Sequence, residues 1–257
     1  MTGDASPPAT GRPAVVAAAP TFEAAARDLA RRLGLRWIAV DDWRAGAGGA
    51  VVLWWDADGL ALRGPAGARA GPVRPRPPAP RRAGRDPLLR AVGHWSEVLD
   101  ATAGLGGDAA TLAAAGRRVT LVEREPVVAA VLADALARWR DAGVAAAARM
   151  CLRVDDARRV LAAAATDVVL LDPMYPEPSA GDRGRARKAE APHLLRLLVG
   201  DDADQDELLR LAQRAARHRV VVKRPRHAPP LAGRPPNGAL PGRTVRYDLY
   251  APEEVDP

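Results

Sequence analysis

From Glu97 onward the chain alternates short apolar runs with longer amphipathic ones. Glu97–Ala101, Arg118–Glu123, Cys151–Asp155, Asp167–Asp172 and Arg219–Lys223 have apolar centres and the length of buried parallel strands. Asp108–Ala115, Pro126–Arg140, Ala157–Ala164 and Asp204–Arg217 lie between them with helical spacing. Pro126 suits a first helical position, where its missing N–H costs nothing. Arg243–Tyr250 switches to period two, with Val245, Tyr247 and Leu249 on one side, which predicts a terminal antiparallel strand. Repeated strand–helix units predict an α/β fold with a doubly wound, mostly parallel sheet.

A smaller α+β unit is predicted ahead of it, over residues 14–70. Ala14–Ala19 reads as a strand, Phe22–Leu33 as a helix and Arg36–Val40 as a second strand. Val51–Trp55 and Leu60–Arg63 flank Asp-Ala-Asp-Gly, a hairpin signal because Asp-Gly supplies the positive φ of a tight turn. Trp54 and Trp55 read as packing for this unit rather than as an RNA-stacking pair. Residues 1–13 are polar and proline-bearing, which predicts a disordered tail. Residues 71–90 are read as a Pro/Arg-rich linker and 91–257 as the main domain. The arginines of the linker region, Arg74, Arg76, Arg81, Arg82 and Arg85, suit either a phosphate-contacting strip or a merely solvated connection.

Composition changes the picture little. The chain has 257 residues, enough for one good core and a satellite unit, and no long uncharged apolar run. Ala14–Pro20 is too short for a secretory leader, so a cytoplasmic protein with no membrane association is expected. Its net charge of +7 invites a nucleic-acid partner, yet nearly all the basic residues are arginine, as a GC-rich genome alone would produce. The single cysteine, Cys151, excludes an internal disulfide and a cysteine-rich metal cluster, and is expected to be buried.

The chemistry gathers at the predicted strand ends. Asp172-Pro173-Met174-Tyr175 follows the run Asp167–Leu171, at the carboxyl end of a strand, where open α/β sheets place their sites. A carboxylate, a turn-fixing proline and an aromatic ring suit the holding of a planar, amine-bearing base. The tetrapeptide looks like a variant of the (Asp/Asn/Ser)-Pro-Pro-(Tyr/Phe) signature of methyltransferases that act on exocyclic amines. After the first strand comes Asp100-Ala-Thr-Ala-Gly104-Leu-Gly106-Gly107-Asp108-Ala109, and Glu123 ends the second strand. Glycines let backbone approach a ligand, and a carboxylate at Glu123 suits both ribose hydroxyls, so an adenosine-containing cofactor is implied. Gly104–Ala109 also fits Gly-x-Gly-x-x-Ala, which leaves NAD formally open. Asp100 would repel a pyrophosphate but suits an α-amino group, and Asp155-Asp156-Ala157 suits an adenine amine. Their joint placement favours S-adenosyl-L-methionine, although either Asp100 or Asp156 would also serve as a simple cap. His94, His193, His218 and His227 show no spacing that nominates a hydride-site base.

Five runs, Asp100–Gly106, Val122–Ala130, Leu171–Pro176, Val220–Pro225 and Ala228–Ala232, resemble the bacterial small-subunit ribosomal RNA guanine-N2 methyltransferases of the RsmJ type. The resemblance spans about residues 88–250. It implies a class I, Rossmann-like methyltransferase fold, S-adenosyl-L-methionine as cofactor and guanine-1516 of 16S rRNA as target, with naked rRNA or the small ribosomal subunit as partner. No metal and no obligate protein partner are implied. Gly107, Asp108, Glu123, Arg124, Asp156, Ala157 and Asp172 would touch the cofactor, beside Gly104, Gly106 and Asp100. The family usually carries Arg at the position of Gly107 and a Ser-Ser pair near Asp156-Ala157, where the register is uncertain by one residue. Asp172 and the Pro173 carbonyl would accept from the amine, and Tyr175 would stack on the unstacked base. The basic loop Arg183, Arg185, Arg187 and Lys188 and the pair Lys223-Arg224 are the candidate RNA contacts.

Overall fold

The computed structural model describes residues 13–79, 86–174, 190–199 and 205–253. Two compact units emerge, Met1–Arg74 with Pro178–Gly200, and Pro75–Glu177 with Asp201–Pro257. Residues 190–199 thus belong to the first unit, although they fall inside the stretch read as the main domain.

The first unit is a four-stranded sheet in the order β2-β1-β3-β4. Its elements are β1 (Ala14–Ala17), α1 (Glu23–Leu33), β2 (Arg36–Ile38), α2 (Val40–Arg44), β3 (Val52–Asp56) and β4 (Gly59–Arg63). Strand β1 runs parallel to β2 and β3, while β3 and β4 form the expected hairpin with Asp56 opposite Gly59. Trp54 packs against Trp43 with ring centroids 5.1 Å apart, and Arg63 lies over both rings. Those contacts place Trp54 in the core of this unit. The Pro/Arg-rich stretch is anchored at both ends. Val73 exchanges backbone hydrogen bonds with Leu62 and Arg74 pairs with Asp56. At the other end, Asp86 caps the next helix by accepting from Leu88 N.

In the second unit the elements are α3 (Pro87–Val92), β5 (Glu97–Asp100), α4 (Gly107–Ala114), β6 (Arg118–Glu123), α5 (Pro126–Asp141), β7 (Met150–Val154), α6 (Ala157–Ala163) and β8 (Thr166–Leu171). After α7 (Glu190–Val199) of the first unit come α8 (Gln205–Ala215), β9 (Ala216–Pro225), β10 (Gly238–Pro241) and β11 (Val245–Tyr250). The seven strands are ordered β10-β11-β9-β8-β5-β6-β7, parallel from β9 to β7 and antiparallel at β11 and β10. Strand alternation sorts the core into two layers. Val98, Val119, Leu121, Val168, Leu170 and Val221 face α3, α4 and α5. Leu99, Val122, Val169, Leu171, Val220 and Val222 face α6 and α8. Burial on both faces explains the near-continuous apolar strands.

Cys151 corrects the expectation of a buried packing residue, because its thiol is exposed. Met150 is buried, so alternation turns Cys151 to the opposite face of the edge strand β7. There a surface cleft of about 390 Å³, lined by Thr120, Cys151 and Arg153 among others, leaves the strand open. Among the described residues no helix is long and apolar enough to cross a membrane.

Candidate active site

Among the described residues, Asp100, Glu123, Asp156, Asp172 and Lys223 lie at or just past the carboxyl ends of β5, β6, β7, β8 and β9, which the parallel topology brings to one edge of the sheet. The loop after β5 is shaped from below. Ala103 N–H donates to the Val122 carbonyl, and Gly106 N–H donates to the Ala103 carbonyl at 2.7 Å. Gly106 adopts φ +71°, and a Cβ there would stand 2.9 Å from Leu132 Cδ1, so no other residue fits without a shift. Gly107 opens α4 and faces open space, which leaves the first N–H groups of that helix accessible to a ligand.

Glu123 ends β6 and is buried. Its Oε2 accepts from Gly104 N–H at 2.9 Å and its Oε1 from Glu125 N–H at 2.8 Å. Burial pushes its carboxyl upward, opposed by those two backbone donors. Each oxygen keeps further acceptor capacity, the requirement for holding two adjacent ribose hydroxyls. The exposed Arg124 follows it. Asp156 is committed differently: it caps α6, accepting from Arg158 N–H at 2.8 Å and from the Arg158 guanidinium at 2.7 Å. Arg158 holds its carboxyl down at about 2. Asp156 N–H in turn donates to Asp155 Oδ1, and Ala157 begins the helix. The capping alternative raised by the sequence is therefore realised at Asp156.

Asp172 follows β8. Its N–H donates to Thr102 Oγ1 at 2.6 Å, which ties the tetrapeptide to the glycine loop. Its Oδ2 accepts from Lys223 Nζ at 2.8 Å, and the same ammonium donates to Asp108 Oδ2 at 2.8 Å. Burial pushes the Asp172 carboxyl upward, Lys223 opposes it, and the charge of Asp108 adds to the rise. Burial pulls the Lys223 ammonium down, but Asp172 and Asp108 outweigh it and hold it above the usual lysine range. Pro173 is buried beside Asp172. Tyr247, across from Lys223 on β11, borders a cleft of about 470 Å³ with Asp108, Asp86, Thr111 and Arg76.

Two of the candidate RNA contacts have partners within the protein. Lys223 spends its ammonium inside the protein on two carboxylates, and Arg224 is buried with its guanidinium on the Pro229 carbonyl. Adjacent residues of a strand point to opposite faces, so Lys223 and Arg224 find their partners on opposite sides of β9. Tyr175, Arg183, Arg185, Arg187 and Lys188 lie outside the described residues. Sequence reasoning missed Thr102 and the inward role of Lys223. A signal for the latter existed, since only Lys188 and Lys223 are lysines in a chain of 38 basic residues. A position that keeps the compact ammonium against such a bias invites a search for a two-carboxylate site.

Asp100 ends β5. It is 3 % exposed, accepts from Thr102 N–H, and is raised to about 8 by burial first and by Asp108 second. The cofactor-free fold thus binds a proton that the unfolded chain has released above its ordinary carboxylate range. This contribution to stability is complete below about pH 4 and is lost as pH rises through about 8. Asp100→Asn is expected to narrow the stability gap between about pH 5 and about pH 9 by at least roughly 2 kcal/mol, measured by urea unfolding. An unchanged gap would mean that Asp100 is ionised throughout.

Residues 79–252 match the family described as "Putative SAM-dependent methyltransferase". The chain is 45% identical over 222 residues to the ribosomal RNA small subunit methyltransferase J of Thioalkalivibrio sulfidiphilus, covering 79% of this chain and 86% of that protein. It is 41% identical over 251 residues to the protein of the same name from Chromohalobacter salexigens, covering 90% and 95%. The chain belongs to the ribosomal RNA small subunit methyltransferase J family. A solved SAM-dependent methyltransferase from Neisseria gonorrhoeae superposes with TM-score 0.67 at 29% identity, covering 95% of this chain and 98% of that one. The fold is that of a class I, Rossmann-like methyltransferase, and the NAD reading of Gly104–Ala109 is set aside. The match to the methyltransferase family contains Asp100, Glu123, Asp172 and Lys223, so the whole constellation lies within it.

Proposed function

We propose that this protein is an S-adenosyl-L-methionine-dependent methyltransferase that modifies the exocyclic N2 of a guanine in small-subunit ribosomal RNA, guanine-1516 of 16S rRNA by family resemblance. The observation that carries the reading is Asp172 at the tip of β8, with its backbone fixed by Thr102 and its carboxylate paired with Lys223. The residues present fit the cofactor: Glu123 offers acceptors to a ribose, Gly106 admits close approach, and the start of α4 at Gly107 stands open. When bound, S-adenosyl-L-methionine supplies an electrophilic methyl group on a sulfonium.

A guanine amine is a poor nucleophile because its lone pair is delocalised into the ring. The protein must therefore position it and accept hydrogen bonds from its protons as positive charge develops. Asp172 and the Pro173 carbonyl are assigned that acceptor role. No strong general base is needed, since the cationic amine loses its proton readily to solvent. Tyr175 is assigned to stacking on the flipped base, and Arg183, Arg185, Arg187 and Lys188 to the RNA phosphates.

The deciding experiment is transfer of labelled methyl to 16S rRNA and to small subunits lacking the modification, followed by nucleoside analysis. N2-methylguanosine is expected. Recovery of N6-methyladenosine without it would replace the guanine target by another amino-bearing base. The two substrates also separate naked RNA from the assembled subunit as partner.

A further inference from the structure

Three carboxylates meet where β5 and β8 end and α4 begins: Asp100, Asp108 and Asp172. They come from different elements; Asp100 is buried, while Asp108 and Asp172 are partly exposed. Lys223 is the cation that bonds two of them among the described residues. Arg224 acts on Asp172 through its charge, while its guanidinium donates to the Pro229 carbonyl. From β11, Tyr247 faces the same cluster. The Thr102 hydroxyl accepts from the Asp172 backbone N–H, and among the described residues the carboxylate bonds Lys223.

We propose that Lys223 is a positioning residue for methyl transfer, whose ammonium ties the start of α4 to the Asp172 tetrapeptide and keeps Asp172 in its acceptor form. This inference rests on the methyltransferase reading. A protonated Asp172 would present an O–H toward the N–H groups of the incoming amine, donor against donor. Crowded carboxylates share protons when no cation separates them. The ammonium at 2.8 Å from both Asp108 and Asp172 supplies that separation. It also restrains the base-contacting segment relative to the cofactor-binding helix. Lysine suits the task better than arginine, because its compact charge carries three donors that spread toward two separate acceptors.

The test compares the parent protein with Lys223→Met, Lys223→Arg and Asp108→Asn at saturating cofactor. Rates of methyl transfer are followed against pH, and carboxyl titration of the cofactor-free proteins is followed by NMR, with Asp172→Asn to assign the signal. In Lys223→Met the acid limb of kcat is expected to move up by about one pH unit or more, as does the Asp172 titration. Turnover near neutrality is expected to fall about tenfold or more and to recover partly at alkaline pH. KM for RNA should stay within about threefold, and Lys223→Arg should restore part of the rate. Asp108→Asn should move the same limb downward, because it removes a like charge from beside Asp172.

A uniform loss of rate with an unmoved acid limb and an unmoved Asp172 titration would overturn the proposal. A rise in KM for RNA without a change in kcat would return Lys223 to the role of an RNA contact. If Lys223→Met does not fold, the opposite shift expected of Asp108→Asn decides the question. A parent protein that makes no N2-methylguanosine would defeat the functional reading instead. The carboxyl titration would still show whether Lys223 controls Asp172.

Discussion

Asp172→Asn is expected to lower turnover by two to three orders of magnitude, while S-adenosyl-L-methionine affinity changes by no more than a few-fold. The amide has nearly the shape of the carboxylate, so the backbone bond to Thr102 survives. What changes is charge. The ion pair with Lys223 is lost, and an NH₂ group replaces one acceptor oxygen next to the nucleophilic amine. Removing one preorganised electrostatic contact to a transition state typically costs about 3–4 kcal/mol, or a factor of about 10²–10³ in rate. Single-turnover methyl transfer, calorimetric cofactor binding and a thermal melt on the same protein separate the contributions. A variant that keeps its fold and turns over within about threefold of the parent would remove Asp172 from the reaction.

Glu123→Ala should act on binding and, more than sequence alone suggests, on the loop itself. The carboxylate holds Gly104 N–H and Glu125 N–H from below while offering its remaining lone pairs to a ribose. Each hydrogen bond to a charged group is worth about 1.5–3 kcal/mol, so losing the hydroxyl contacts should weaken cofactor affinity at least about tenfold. The two stranded N–H groups add a loss of stability of about 1–3 kcal/mol, which shows as a lower Tm. Glu123→Gln keeps one acceptor oxygen and should fall between the two. Calorimetry with S-adenosylhomocysteine provides the check, and unchanged affinity in Glu123→Ala would exclude the residue from the site.

The five parallel strands and the helices between them were legible because burial on both faces leaves an apolar signature in the residues themselves. The positions of Glu123 and Asp172 were legible for a related reason: a charged residue at the end of an apolar run marks the end of a buried strand. Strand β10 carries no such signature. It is short, glycine- and proline-bearing, and half-exposed at the sheet's margin, so its pairing with β11 depends on tertiary context. Cys151 was misread because its apolar neighbours say that a strand is present, not that it lies at the edge with one face open. The internal partners of Lys223 and Arg224 were not legible for a deeper reason. Two adjacent cations at a strand end look like a phosphate contact until the partners are known. Those partners, Asp108, Asp172 and the Pro229 carbonyl, are supplied by the fold.

The bonds that close the site join residues 51, 70 and 115 positions apart in the chain. Contacts at such separations shut large loops, whose entropy is lost before any contact is gained, so they belong to the slow steps of folding. A chain with its helices formed and β5, β6 and β7 paired, but with β9 still undocked, has a glycine loop and no clasp over it. Capacity to bind S-adenosylhomocysteine then measures completion of the second unit rather than its collapse. A ligand held there stabilises the whole unit by mass action instead of one loop of it.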